Sequence, residues 1–277
     1  MSRSRPSFHH QIYLYFTSIK QAKLVKMKKI QLTLIQIDNY GPWTVTPEPR
    51  READLQTVQA VLFADVERAF AAHGGLVFQT RADNMLAISN GIGMRLHRMI
   101  QNSINDRYPF TISMGVGAAA KPQEAQQLAT RALQKAGSSR SPERRGVLVG
   151  MGVEAPDEDW VQIAHIDVDR MTSMTDTEPI YDTYVLLQRV YLSLVSSMLK
   201  HGGLVFYTGG DNFMALSNGV NEKELQVAVD ELQRAMGVGL KVSVGGGATA
   251  EAAAKLATQG LLEIRENRDK KRIVFKS

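Results

Sequence analysis

Cysteine is absent from all 277 residues. Disulfides, Cys-ligated zinc, iron–sulfur clusters and thiol nucleophiles are therefore excluded, and a reducing, cytoplasmic setting is the expected one. No apolar run is long enough to span a bilayer, so no membrane association is expected. Acidic residues are missing from the first 29 positions, which hold seven of the 33 Lys and Arg. Without that segment 26 basic residues face 28 acidic ones, so the formal charge of +5 belongs to the tail and the body is nearly neutral. Such a body argues against a broad nucleic-acid-binding face, and no nucleic-acid partner is expected.

Residues 1–26 read as a basic, disordered extension. The apolar stretch Ile12 to Phe16 is too short for a signal-sequence core, and lysines follow it in place of a small-residue cleavage site. Met27 stands directly before the first strand-like run.

What is present is a chain written twice. AHGGLVFQTRADNMLAISNGI (72–92) returns as KHGGLVFYTGGDNFMALSNGV (200–220), displaced by 128 positions. LIQID ending at Asp38 matches IAHID ending at Asp167, TISMGVGAA (111–119) matches KVSVGGGAT (241–249), and LATRAL (128–133) matches LATQGL (256–261). Each copy reads as strand, helix, hairpin, helix, strand. Leu55, Val58, Leu62, Val66 and Phe70 recur at helical spacing until Gly74 and Gly75. The hairpin strands fall at 76–80 and 85–89, Pro122 suits the first turn of a further helix, and Val147–Val149 forms a short apolar run.

That order predicts an α+β protein, a tandem duplication of a ferredoxin-like βαββαβ unit with antiparallel sheets. The units are read as 27–150 and 151–277, with the polar stretch near 150–159 as linker. In the strand order 4-1-3-2, the end of the first strand neighbours the tip of the hairpin. Asp167 and Asp169 occupy the first place, and Gly209, Gly210, Asp211 and Asn212 form the second. Converging carboxylates repel unless a cation lies between them, and oxygen donors suit magnesium. The two glycines would let a triphosphate approach the backbone. The first copy offers Asp38 and Asp83 as a weaker pair, with RAD in place of GGD.

HIDVDRM and GGDNF resemble the metal strand and hairpin motif of the palm domain in class III nucleotidyl cyclases and diguanylate cyclases. IQIDNYGPWTVTPEPRREADLQ (35–56) with AHGGLVFQTRADN resembles the archaeal-type GTP cyclohydrolase, GTP cyclohydrolase III, over roughly 27–277. The resemblance implies a magnesium-dependent, two-metal enzyme acting on GTP in flavin or deazaflavin synthesis, and a homo-oligomer. It would open the imidazole ring at C8, keep the formyl group and release two phosphates. Asp167 and Asp211 would hold magnesium, with Asp169 as an auxiliary ligand. His201, and its equivalent His73, are candidate proton carriers or helix-end caps. Asn39, Tyr40 and Trp43 would frame the base or pack the proline loop; Arg50 and Arg51 would clamp phosphate or sit as surface charge. Lys270 and Lys271 lie where palm cyclases place a basic residue, and surface charge is the plainer reading. A palm-fold nucleotidyl cyclase forming a cyclic or dinucleotide product, and an RNA-binding tandem, are the competing readings. The latter lacks exposed aromatics on MLAIS and FMALS and a basic sheet.

Overall fold

Alternation of apolar residues on both faces makes Ile30–Ile37 (β1) a central strand: Ile35 and Ile37 enter one core cluster, while Ile30, Leu32 and Leu34 enter another. A short helix Tyr40–Val45 (α1) and the long helix Glu52–Ala71 (α2) follow, the latter burying Leu62, Val66 and Phe70. The hairpin Leu76–Arg81 (β2) and Asn84–Ile88 (β3) leads into Met94–Asn105 (α3) and Ile112–Ala119 (β4). Pro122–Lys135 (α4), with proline in its first turn, and Leu148–Gly150 (β5) complete the first repeat. The second repeats the order as Val161–Val168 (β6), Met171–Thr175 (α5), Ile180–Lys200 (α6), Leu204–Gly209 (β7) and Asn212–Leu216 (β8). Glu222–Met236 (α7), Leu240–Gly247 (β9), Ala250–Asn267 (α8) and Ile273–Lys276 (β10) close the chain. This computed structural model describes residues 27–267 and 272–277; the extension 1–26 and Lys270 and Lys271 lie outside the described residues.

The two five-stranded sheets run β2-β3-β1-β4-β5 and β7-β8-β6-β9-β10. Within each, the first four strands are the 4-1-3-2 arrangement, all antiparallel. The expectation of wholly antiparallel sheets is corrected at one edge of each: β5 pairs with β4, and β10 with β9, in parallel. The reason is the connection. A helix bridges each of these pairs, and a helical crossover returns the chain in the same direction.

Strand pairing also corrects the alignment of the copies. Ile30 faces Ala119 as Val161 faces Gly247, and Gln36 faces Ser113 as Asp167 faces Lys241. Asp38 therefore corresponds to Asp169, and the counterpart of Asp167 is Gln36. Asn39 and Arg170, the next residues, carry the matching left-handed φ of 53° and 61°. In β4 and β9 the true partner of Lys241 is Ser113, not Thr111.

The repeats share one interior. Helices α2 and α3 cover the outer face of the first sheet, and α6 and α7 that of the second. Between the sheets, Ile30, Leu32, Ala125 and Ala129 join Val161, Ile163, Ala250 and Ala253 in a single cluster. Phe78 and its repeat equivalent Phe206 stack at 4.2 Å and 4°, a pair worth about 0.5–1.5 kcal/mol beyond its burial. The HGG motif serves this junction. Gly74 and Gly202 adopt φ of 76° and 82°, a conformation glycine takes without strain. The Gly74 carbonyl accepts from Glu251 N at 3.1 Å, and the Gly202 carbonyl accepts from Gln123 N at 3.0 Å. Each repeat thereby satisfies an otherwise orphaned amide at the start of the other's helix.

Candidate active site

Three strand ends meet at one edge of the second sheet. Asp167 lies opposite both Asn212 of β8 and Lys241 of β9. Just beyond, Val168 N donates to the Asp211 carbonyl at 3.2 Å and Asp169 N to the Gly239 carbonyl at 2.9 Å. The hairpin tip turns through Gly209 and Gly210 with φ of 107° and 59°. Asn212 Nδ2 then donates to Asp211 Oδ1 at 2.7 Å. Acids 44 residues apart in sequence are thus neighbours through their backbones.

The charges are balanced by two residues that sequence reading overlooked. Lys241 Nζ lies 2.9 Å from Asp169 Oδ1 and 3.7 Å from Asp167 Oδ1, and Arg265 of α8 pairs with Asp167 Oδ2. The Asp167 carboxylate is 5% exposed, whereas Lys241 and Arg265 are 30% and 42% exposed. The carboxylate is buried, whereas both counter-charges reach solvent. At Gly239 a Cβ would collide with Asp169 Oδ2, so glycine leaves room for that carboxylate. His165, two residues before Asp167, shares its face of β6. Its Nε2 lies 3.2 Å from Asn212 Oδ1 and its Nδ1 3.3 Å from Thr258 Oγ1. Burial holds this imidazole below its ordinary titration range, against the opposing hydrogen bond that it donates to Asn212 Oδ1.

The donor set suits a hard cation. All three acids offer oxygen, and the Lys241 ammonium already marks where positive charge is held between Asp167 and Asp169. Among the described residues no group of three His, Cys, Asp or Glu is assembled as a ready ligand set. Asp211 borders a cavity of about 370 Å³ lined by Met171, Thr183, Tyr184, Tyr207 and Gly210. That volume is in the range of small-molecule sites.

The first repeat has the same frame without the site. Asp38 accepts from Thr111 Oγ1 at 2.8 Å, Ser113 Oγ at 2.7 Å, Gly146 N at 2.9 Å and Arg144 Nη2 at 3.1 Å. Both partners of the Asp38–Arg144 pair are buried. Asp83 pairs with Arg81 at 2.9 Å. Arg50 lies over the Trp43 ring at 4.2 Å and donates to its carbonyl, and Trp43 meets Phe110 edge-on at 5.0 Å. Asn39 N donates to the Ser139 carbonyl, Tyr40 receives the Gln59 amide, and exposed Arg51 reaches only Asp54, at 4.0 Å. None of these first-repeat residues contacts Asp167, Asp169 or Asp211 by a hydrogen bond or ion pair among the described residues. His201 caps the C-terminus of α6, just ahead of β7, whose far end alone lies roughly 20 Å from the tip by strand rise, and it pairs with Glu224 at 3.2 Å. His73 is exposed at the end of α2.

Fold and site together define a tandem palm-like α+β protein in which, among the described residues, the acidic strand end of the second repeat is opposed by partly exposed basic residues and that of the first by a buried one. Residues 30–277 match the family described as GTP cyclohydrolase III. A GTP cyclohydrolase III of Methanothermobacter thermautotrophicus is 54% identical over 85% of this chain and 94% of its own length. That of Methanobrevibacter smithii is 52% identical over 86% and 94%. The active GGEEF domain of a diguanylate cyclase from Vibrio cholerae is a distant likeness, 11% identical over 43% of this chain and 83% of its own, with a TM-score of 0.36. The chain belongs to the GTP cyclohydrolase III family of enzymes. No helix among the described residues is long and apolar enough to cross a membrane.

Proposed function

We propose that the second repeat hydrolyses GTP with magnesium. One water adds at C8 and the C8–N9 bond breaks; N9 takes a proton and stays on the ribose, while the formyl group stays on N7. Two further waters cleave the phosphoanhydrides. The products are 2-amino-5-formylamino-6-ribosylamino-4(3H)-pyrimidinone 5'-monophosphate and two phosphates.

The observation that carries this reading is Asp167, held at the strand end by displaceable Lys241 and Arg265 beside the Asp211 tip. Asp167, Asp169 and Asp211 would hold the ion. When bound, magnesium would neutralise triphosphate charge and polarise a phosphoryl oxygen or a water. Lys241 and Arg265, released from the carboxylates, are the groups to bind phosphate oxygens, arginine in a fork and lysine as a point charge. Gly209 and Gly210 have no side chain to obstruct the approach. The cavity beside Asp211, with Tyr184 and Tyr207 on its walls, has the size and aromatic lining for the guanine ring. Ile180, Tyr181 and Leu192, all well exposed on α6, favour a homo-oligomer.

The test is GTP with magnesium, followed by ultraviolet spectrum and phosphate release. Loss of purine absorbance with two phosphates per GTP is expected. Intact purine absorbance with pyrophosphate as the co-product would instead identify a cyclase and overturn the reading.

A further inference from the structure

The hairpin asparagine is held alike at one end in both repeats. Asn212 Nδ2 donates to Asp211 Oδ1, and Asn84 Nδ2 to Asp83 Oδ1, each at 2.7 Å. A carboxylate only accepts, so each amide must turn its nitrogen to the aspartate and its oxygen away. That oxygen then needs a donor. In the first repeat Gln36 Nε2 supplies it at 2.8 Å, from the position directly opposite Asn84. In the second repeat the residue opposite Asn212 is Asp167, whose ionised carboxylate has no proton to give. The donor comes from His165, two residues earlier on the same face, with Nε2 at 3.2 Å from Asn212 Oδ1. The first-repeat counterpart of His165 is Leu34, which has no donor and needs none.

We propose that His165 is a positioning residue: its Nε2–H fixes the Asn212 amide, the amide fixes the Asp211 carboxylate, and Asp167 is freed from holding the hairpin. The relay also sets the tautomer. Nε2 carries the proton, and Nδ1 accepts from the Thr258 hydroxyl at 3.3 Å. Converting position 36 of the first repeat from glutamine to a metal-type aspartate would break its hairpin clamp unless position 34 changed as well. The second repeat has both changes together.

Two measurements on the full chain test this. In the parent protein, 15N spectra of the His165 ring should show the Nε2–H tautomer, and the Asn212 side-chain amide should give a slowly exchanging pair of signals. The reverse tautomer would overturn the assignment, whether or not any variant folds. Calorimetry with magnesium alone forms the second arm, which rests on the reading of Asp211 as a ligand. His165→Leu should weaken magnesium binding by about 10–100-fold, as loss of an outer-shell partner does, and should release the Asn212 amide. His165→Gln, which keeps a donor, should restore both. Equal loss in the two folded variants, or parental Asn212 signals in His165→Leu, would overturn the relay. A parent that shows the tautomer and the slow amide but binds no magnesium would support the relay and overturn the metal reading.

Discussion

Asp38 and Asp169 occupy the same place in the two repeats and lead different lives. Asp38 is enclosed by two hydroxyls, a backbone amide and the buried Arg144. Every lone pair it offers is used, and its charge is spent on fastening β5 and the preceding loop to the sheet. Asp169 meets Lys241 where Asp38 meets Ser113, glycine where Asp38 meets Thr111, and solvent where Asp38 meets protein. Two positions earlier, Gln36 gives way to Asp167. The difference is a matter of what can leave. A carboxylate satisfied by buried donors is structure, whereas one balanced by partly exposed side chains is open to the ligand exchange proposed above.

Breaking the proposed site of the second repeat should have the largest effect. Asp211→Asn is expected to lower GTP consumption by at least about a thousandfold while the circular dichroism spectrum is retained; turnover at the parental rate would remove the metal site from the account. Next comes the first repeat. Arg144→Met leaves the Asp38 charge buried without its partner, a loss of about 3–5 kcal/mol by urea denaturation. A change under 1 kcal/mol would mean that the hydroxyls suffice. Lys241→Ser, which writes the first-repeat residue into the second, should cost about 10–100-fold in kcat/KM, the worth of one charged hydrogen bond. Its melting temperature should hardly move.

The smallest effect concerns acid. His97 is fully buried against Thr33 and Gly93 O, and burial holds its ring below the ordinary value of 6.5. The unfolded chain therefore binds a proton that the folded one refuses. This contribution to stability is complete above about pH 6.5 and is lost as pH falls through the folded value. The second repeat has Ala164 and Leu225 at these places. Thr33→Ala with His97→Leu should therefore flatten that part of the stability curve, measured as urea midpoints between pH 7 and 5. An unchanged slope would assign the acid sensitivity elsewhere.

The element order, the 4-1-3-2 pairing and the hairpin tip at Asp211 were legible because repetition marks them twice. The register of β1 on β6 was not. LIQID and IAHID share an ID step and an alternating pattern, and a two-residue slip keeps every side chain on its original face. Periodicity cannot detect such a slip, and it takes the strand pairing to match Asp38 with Asp169. Lys241 and Arg265 escaped for a different reason. A single cation in a strand or at a helix end looks like surface charge until the sheet brings it to an acid 74 or 98 residues away. One signal was available: Lys241 and Ser243 share a strand face, and a lysine on a strand covered by helices needs a buried partner. His165 lies inconspicuously within HIDVDRM, whereas repetition draws the eye to His201, which belongs to the opposite end of β7.

The crossed bonds at Gly74 and Gly202 have a bearing on how such a duplicated gene can age. Any other residue at either turn would strain the left-handed φ and, through the carbonyl, disturb the start of a helix in the other half. The two repeats differ at their strand ends, where Asp167 stands in place of Gln36, and agree at these two glycines, so their chemistry can diverge while they stay one folded body.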